Sequence, residues 1–468
     1  MESAVGSQNE PVDRAAVADR EEKRAVDVLL FWLWLGAVLL SPVWFGDNTP
    51  LVWGAHAILF GLLLAAFGIS RRPLAVPIRR LRVPLAALAV VGLWAAVQSA
   101  GFVPETWRHP IWRLASAALG EDAGGAVSVY PEAGRVALLW MATAAAVFFL
   151  AVQYGRDPRR ARLVLLAVAV GGGAIAAYGL AVYVTGNKSV LWQPKHAYLD
   201  ALSATFINRD TFAAYAGTVL TVAFGYLVGE IGGLRPLRAS GAVRAIALLL
   251  LGVIVVVAAS ALILAGSRAG TAVAVIGVGS VSVLAAARSR SWRGVLVVGC
   301  AGGGLAAIGF AAASGSLLTQ RLLWFDRDMN ARLALDRSVI HAIAARPFFG
   351  YGFGTFKQAY PPFRALALQQ SGRWEYAHNS WLEALMTLGV PVGLLLWLIF
   401  LWMLARCLAG ASRRSEGAIY AVIGAAVGLL AAAQSLIDFP FQVQGFAIPL
   451  LAILGVAVAQ SWASGEVI

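Results

Sequence analysis

Charged residues and cysteines are scarce in this chain of 468 residues. Only 13% of the residues are Asp, Glu, Lys or Arg, whereas 60% are hydrophobic and the mean hydropathy is +0.75. A soluble domain of this length cannot bury so large an apolar fraction, so the composition excludes it and indicates a polytopic membrane protein. The two cysteines, Cys300 and Cys407, have neither disulfide nor metal-ligand spacing, and we expect both to be inert.

Apolar runs long enough to cross a bilayer recur along the whole chain. A spanning helix needs about 20 mostly apolar residues, and the sequence contains about twelve such runs. They cover residues 27–46, 51–69, 83–103, 136–153, 163–184, 211–230, 245–265, 269–287, 294–313, 380–403, 417–436 and 445–463. The predicted fold is therefore all-α, with about twelve transmembrane helices and a large polar loop, 314–379, before the tenth.

The net charge of +13 could suggest a nucleic-acid partner, but the placement of the basic residues argues against one. Lys and Arg cluster in alternate loops, as they do in short cytoplasmic loops of membrane proteins. The clusters lie at 71–82, 156–162, 235–244, 288–293 and 406–414, after every second run. This pattern predicts that both termini face the cytoplasm and that the intervening loops, including 314–379, face outward.

Ionisable residues are almost absent from the apolar runs. Only His56 and Glu383 lie clearly inside them, and Glu383 is close to the outer edge. Ion-coupled carriers normally place such groups near the bilayer midplane. The pattern therefore favours an enzyme over a carrier, although a flippase for lipid-linked sugars remains the alternative from another class.

The outward loops hold the polar residues instead. Arg209, Arg268 and Arg332 lie in three different outward segments, and His378 ends the longest of them. Outer loops normally carry few positive charges, so this excess needs a reason. A polyanionic ligand at the outer leaflet is the simplest one, because guanidinium groups bind phosphate oxygens in a bidentate way.

Several of these segments carry motifs of one family. They are Phe206-Ile207-Asn208-Arg209-Asp210; Ser267-Arg268-Ala269-Gly270; Arg332 followed by 347–356, which reads PFFGYGFGTF; His378-Asn379 with Gly389; and Ile437-Asp438-Phe439. Together they resemble the O-antigen ligase and polymerase superfamily, which are bacterial inner-membrane glycosyltransferases with a GT-C-like fold. The chain departs from the family at Ala269, where glycine is frequent, and at Arg209-Asp210, where a smaller polar pair is common.

The resemblance implies an inverting transfer of a glycan from an undecaprenyl-pyrophosphate carrier to an acceptor hydroxyl, without metal or other cofactor. The site would face the periplasm. The acceptor would be the lipid A core or a growing glycan, and membrane lipids would surround the protein. His378, Arg268 and Arg332 are the implied catalytic residues, and Arg209, Asn208 and Asn379 are the implied substrate-binding residues.

The roles of individual residues stay open at this stage. An imidazole with an ordinary pKa of about 6.5 can take the acceptor proton, but His378 could also orient the acceptor or donate to the diphosphate. Asn379 is placed to cap the tenth helix, and Asp438 could cap a helix or belong to the site. Glu383, five residues after His378, falls on another helix face, so a direct pairing is not expected through that helix alone.

The sequence divides into four parts on this interpretation. Residues 1–25 form a disordered cytoplasmic tail, and 26–200 form N-terminal membrane helices. Residues 201–445 form the ligase- or polymerase-like core with its loop 314–379, and 446–468 form the last helix and C-terminus. Ligases, polymerases and protein O-oligosaccharyltransferases share the motifs, so the acceptor is not predicted. No added soluble domain is recognised, which favours a surface-polysaccharide enzyme over a protein-glycosylating one.

Overall fold

The computed structural model describes residues 14–47, 49–70, 73–234, 237, 240–288, 293, 318–368, 374–414 and 417–462. Within these residues the chain is almost entirely helical. The helices are α1 (Arg14–Leu40), α2 (Pro50–Ile69), α3 (Ile78–Gln98), α4 (Ile111–Leu119), α5 (Pro131–Tyr154), α6 (Pro158–Val184), α7 (Arg209–Ile231), α8 (Gly241–Leu264), α9 (Arg268–Ala286), α10 (Leu318–Ala345), α11 (Phe356–Ala359), α12 (Ser380–Leu388), α13 (Val390–Arg413), α14 (Ala418–Gln434) and α15 (Gln444–Gln460). Two short strands, β1 (Ser189–Val190) and β2 (Gln193–Pro194), pair in antiparallel fashion, with Ser189 opposite Pro194.

Eight of the described helices are long and apolar enough to cross a membrane: α2, α3, α5, α6, α7, α8, α9 and α13. Helices α14 and α15 are apolar but have 17 residues each. The predicted all-α polytopic membrane fold is therefore confirmed. The predicted ninth span, 294–313, lies outside the described residues. Helix α1 begins at Arg14, inside the segment predicted as a tail.

The prediction of one continuous helix over 380–403 was wrong, because the chain breaks at Gly389. This glycine has a φ of +83°, and a Cβ added to it would lie 2.3 Å from the carbonyl oxygen of Phe348. The backbone N–H of the next residue, Val390, donates to the carbonyl of Pro347 in the loop after α10, at 2.7 Å. Helix α12 is consequently a short separate helix, held against the loop that follows α10.

Arginines gather at one end of the helix bundle. There they donate hydrogen bonds to carbonyls at or beyond helix C-termini, where cations are favoured by the helix dipole. The contacts are Arg156 to Ala459 and Trp462, Arg162 to Leu237, Arg288 to Ser412, and Arg414 to Gln460 and Trp462. We call this the arginine end. Helices α7, α9, α12 and α15 all begin at the opposite end, which we call the loop end.

Helix α7 lies at the centre of the bundle. Of an 18-residue apolar stretch of this helix, 94% is buried inside the protein, compared with 28% for the corresponding stretch of α8. Small residues allow its neighbours to approach closely: a Cβ on Gly217 would lie 2.9 Å from Ala274 of α9, and a Cβ on Gly225 would lie 2.5 Å from Ile423 of α14. The N-terminus of α7 is therefore fixed in the middle of the loop end.

Candidate active site at the loop end

Three helices that begin at the loop end are capped by side chains from the sequence motifs. Asn208 caps α7 by accepting the backbone N–H of Asp210 at 2.7 Å. Ser267 caps α9 and Asn379 caps α12, each by accepting an N–H three residues further on, at 3.0 and 3.1 Å. The predicted capping role of Asn379 is confirmed. Because helix N-termini carry partial positive charge, these ends favour an anionic ligand nearby.

The first turns of α7 and α9 lie side by side because the residue at their contact, Gly270, has no side chain. A Cβ on Gly270 would be only 2.4 Å from the Cβ of Ala213, so a larger residue would force the helices apart. Arg209 is the first residue of α7, and Arg268 is the first residue of α9. Their side chains therefore start from adjacent helix ends, and both are partly exposed.

Asp210 lies between two of the motif arginines. Its carboxylate is 3.7 Å from Nη2 of Arg332 and 4.0 Å from Nε of Arg209, and its side chain is only 12% exposed. The Arg209 guanidinium also packs over the ring of Tyr198 at 5.0 Å. Burial and the charge of Asp210 raise the pKa of Tyr198, whereas the charge of Arg209 opposes that shift. One carboxylate therefore holds two guanidinium groups close together, where both can reach a shared anion.

Arg332 joins α10 to the turn that precedes α15. Its Nη1 donates to the backbone carbonyl of Ile437, the residue before Asp438. The side chain remains 27% exposed after making this bond and the contact with Asp210. A single arginine therefore connects the first turn of α7 with the segment that carries Asp438, and part of its surface stays available to a ligand.

His378 faces a buried carboxylate. Its Nδ1 atom lies 3.1 Å from Oδ1 of Asp438, whose side chain is fully buried, while the histidine side chain is 23% exposed. Neither atom has a hydrogen-bond partner elsewhere in the described part of the chain. Gln434 donates to the other oxygen of Asp438 at 3.4 Å. Trp374 and Phe439 each pack against the imidazole in a T-shaped arrangement, with ring centroids 5.4 and 4.8 Å from that of His378.

The backbone around His378 is strained and is held by Glu383. His378 has a φ of +50°, a conformation that is uncommon for a residue with a side chain. The buried carboxylate of Glu383 accepts the N–H of Ala377, the preceding residue, at 2.8 Å. Glu383 thus reaches back to the chain before the helix, and its carboxylate also shares a hydrogen bond with the side chain of Gln442. Strain of this kind persists only where surrounding contacts impose it, and it often marks a functional position.

Asp336 completes the cluster, and the sequence interpretation missed it. It lies one helical turn after Arg332 on α10, and the side chain of Asn379 hydrogen-bonds its carboxylate. Burial raises the pKa of Asp336, while the hydrogen bond from Asn379 and the charges of Arg332 and His378 oppose this shift. The spacing of Arg332 and Asp336, four residues apart on a helix, was the available signal for a pair on one face.

The structure thus brings Arg209, Arg332, His378 and Asn379 into one cluster, with Asn208 and Arg268 at the adjoining helix ends. Other basic residues of the long loop are used differently. Arg346 and Arg364 donate to loop carbonyls, and Lys357 pairs with Glu375. Arg373 and the side chains of Arg321 and Arg327 lie outside what the structure describes.

Among the described residues, no three His, Cys, Asp or Glu side chains are grouped to hold a metal ion.

The fold and the cluster define a polytopic helical membrane protein with a cationic, histidine-containing site at one end. Residues 253–398 match the family model described as O-antigen ligase. This match confirms the resemblance to the O-antigen ligase superfamily, and it includes Arg268, Arg332 and His378. Comparison with curated proteins gave no match. The match to this family supports an O-antigen ligase-type function in a bacterial membrane. It indicates a glycosyltransferase-like enzyme that uses a lipid-linked glycan donor and a glycan acceptor.

Proposed function

We propose that this protein transfers a glycan from an undecaprenyl-pyrophosphate carrier to an acceptor hydroxyl at the periplasmic face of the inner membrane. The observation that carries the proposal is the 3.1 Å contact between His378 Nδ1 and Asp438, beside Arg332. A base held by a buried carboxylate and placed next to phosphate-binding groups is the arrangement that glycosyl transfer from a lipid diphosphate requires.

His378 acts as the general base in this mechanism. A carboxylate opposite Nδ1 favours the tautomer that carries its proton on that nitrogen, which leaves Nε2 free to accept one. Nε2 takes the proton of the acceptor hydroxyl as its oxygen attacks the anomeric carbon. The new carbon–oxygen bond forms on the face opposite the leaving group, so the configuration inverts. Asp438 stabilises the imidazolium that results.

Arg209, Arg268 and Arg332 stabilise the leaving group. The bond between the anomeric carbon and the diphosphate oxygen breaks, and its electron pair leaves with the lipid diphosphate. Guanidinium groups bind this developing charge in a bidentate way and are already in place before the reaction, so little reorganisation is needed. Asp210 holds Arg209 and Arg332 close together, and the capped N-termini of α7 and α9 add further positive potential.

The distribution of arginines supports the proposed orientation. The arginine end carries the clusters around Arg156, Arg162, Arg288 and Arg414, and short loops rich in Lys and Arg remain in the cytoplasm. The loop end, with His378, then faces the periplasm, where lipid-linked glycans are assembled onto their acceptors.

The gel profile of lipopolysaccharide and lipid-linked glycan tests the proposal in a strain that lacks this gene. Complementation with wild type or with His341→Ala should restore the profile, because His341 is an exposed histidine of α10 outside the cluster. His378→Ala should not restore it. Polymer accumulating on its carrier identifies a ligase, whereas single repeat units in place of long chains identify a polymerase. A normal profile with His378→Ala would overturn the mechanism.

A further inference from the structure

Asp336 is an acidic side chain beside the motif arginines that the proposed mechanism does not use. It is half-buried on α10, one helical turn after Arg332, and the charges of Arg332 and His378 both act on its carboxylate. A negative charge at this place repels the lipid diphosphate that the arginines are proposed to bind. Because this repulsion weakens diphosphate binding, the carboxylate needs a role of its own.

Holding Arg332 in place is not that role. The guanidinium of Arg332 lies 3.7 Å from the carboxylate of Asp210 and donates to the carbonyl of Ile437. Among the residues that the structure describes, no direct ion pair joins Arg332 to Asp336. Asp210 and Ile437 therefore fix the guanidinium, and Asp336 lies beside it without pairing.

The carboxylate of Asp336 has capacity for a ligand. Its hydrogen bond in the described structure comes from the side-chain amide of Asn379, which is itself buried. The oxygen of that amide accepts the N–H of Leu382 at 3.1 Å, so both ends of the Asn379 amide have partners. An ionised carboxylate offers about four acceptor sites. Further hydrogen bonds to Asp336 can therefore come from a bound substrate.

The group that occupies this space in the proposed mechanism is a sugar ring. The anomeric carbon lies between Nε2 of His378 and the diphosphate bound by Arg332, and Asp336 adjoins both residues. Four residues of helix separate Asp336 from Arg332, which is roughly 6 Å along the axis. The sugar bonded to the diphosphate therefore lies beside Asp336, and its hydroxyl groups are donors that a carboxylate accepts.

Trp374 provides an apolar wall for the same space. Its ring is half-buried, lies 5.4 Å from the imidazole of His378 and packs against the buried cluster that includes Leu335, the neighbour of Asp336. A pyranose has an apolar face of C–H groups and a rim of hydroxyl groups. An aromatic ring and a carboxylate that both adjoin His378 suit these two surfaces.

We propose that Asp336 accepts hydrogen bonds from hydroxyl groups of the donor sugar that is bonded to the diphosphate, and that these contacts make the enzyme selective for this sugar. The proposal rests on the proposed function and deepens it. The arginines bind the diphosphate, which is common to every such lipid, and Asp336 binds the part that differs. After transfer, the carboxylate faces a lipid diphosphate without its sugar, and the uncompensated repulsion favours release of this product.

Binding of two lipids tests the proposal without requiring transfer. The probes are undecaprenyl diphosphate and the lipid-linked glycan extracted from the strain that lacks this gene, and each is titrated into the purified protein. With Asp336→Asn, the Kd for the lipid-linked glycan should rise about tenfold, because hydrogen bonds to a charged group are lost. The Kd for undecaprenyl diphosphate should fall or stay unchanged. Asp200→Asn, at an exposed aspartate in the loop after α6, should bind both probes as wild type does.

The other outcomes separate this proposal from the proposed function. Weaker binding of both probes by Asp336→Asn would show that the residue acts by positioning the arginines, and unchanged binding of both would show that it meets no sugar. Either result overturns the proposal while the proposed function stands. If wild type binds neither probe, the proposed function fails, and the assignment of Asp336 fails with it.

Deoxygenated donors identify the contact directly. Synthetic polyprenyl diphosphates are prepared with the first sugar of the extracted glycan, either complete or lacking one hydroxyl. For a hydroxyl bound by Asp336, wild type should bind the deoxy form about tenfold more weakly than the complete sugar. Asp336→Ala should bind the two forms nearly alike, and its binding of undecaprenyl diphosphate reports that the cluster is intact. Equal losses in wild type and variant for every hydroxyl would contradict the assignment.

Discussion

Nδ1 of His378 lies 3.1 Å from Oδ1 of Asp438, and 60 residues of sequence separate the two side chains. The carboxylate is fully buried, whereas the imidazole is partly exposed. In the proposed mechanism, Asp438 is the buried charge that controls the tautomer, and Nε2 of the partly exposed His378 accepts the proton. The pair is therefore the centre of the proposed mechanism.

Asp438→Asn should lower kcat by about 100-fold or more, the range typical of a lost general base. The asparagine amide would donate to Nδ1, which moves the imidazole proton to Nε2 and leaves that atom unable to accept one. Single-turnover transfer with the purified protein measures the effect. Asp200→Asn, at an exposed aspartate in the loop after α6, is the matched control and should retain wild-type turnover. Equal rates for the two variants would exclude tautomer control by Asp438.

Arg332→Lys and Arg268→Lys should each lower transfer by at least about tenfold, because lysine is a point charge and cannot make a bidentate contact with phosphate. Titration with a soluble polyprenyl diphosphate analogue should show weaker binding by both variants. Arg337→Lys is the control, since Arg337 lies on the exposed face of the same helix as Arg332. Undiminished transfer by Arg332→Lys would remove this residue from the phosphate site.

Glu383→Ala should lower kcat by about tenfold, because loss of the hydrogen bond to Ala377 allows His378 to relax from its strained backbone conformation. Glu383→Gln keeps an oxygen that can accept the same N–H, and it should retain most of the activity. Steady-state kinetics on both variants distinguishes positioning from charge. If Gln were as defective as Ala, the carboxylate charge and not the hydrogen bond would be required.

His109 should make the stability of the loop between α3 and α5 dependent on pH. Burial, and secondarily the charge of Arg346, lower the pKa of His109 to about 4, whereas an unfolded histidine titrates near 6.5. Between these values the unfolded chain binds more protons, so the stabilisation present above pH of about 6.5 is lost as the pH falls toward 4. Thermal unfolding followed by fluorescence should show a weaker acid dependence for His109→Gln than for His341→Gln. Identical pH profiles for the two variants would contradict this.

Much of the fold could be predicted from local sequence, because spanning helices are set by length and apolarity alone. The break at Gly389 was missed because residues on both sides are apolar. Its positive φ and its close approach to Phe348 show why a glycine is required there. The Val390-Pro391 pair that follows was the one local signal, since proline is favoured in the first turn of a helix.

The site was only partly predictable, for a different reason. Arg209, Arg268, Arg332 and His378 stand out because polar residues are rare near apolar runs. Asp210 and Asp438 were visible, but their pairing depends on how α7, α10 and α15 meet in three dimensions. Asp336 was missed because α10 carries several charged residues, so a single carboxylate does not stand out. Its spacing of four residues from Arg332 was the signal that could have found it.

The rate of the chemical step with His378→Ala tests the central claim most directly. Purified protein is loaded with polyprenyl-diphosphate-linked glycan and mixed with acceptor, and product is quantified over a single turnover beside the His341→Ala control. The mechanism predicts a loss of about 100-fold or more with unchanged donor binding for His378→Ala, and wild-type transfer for the control. Transfer by His378→Ala at the rate of the control would show that His378 is not the base.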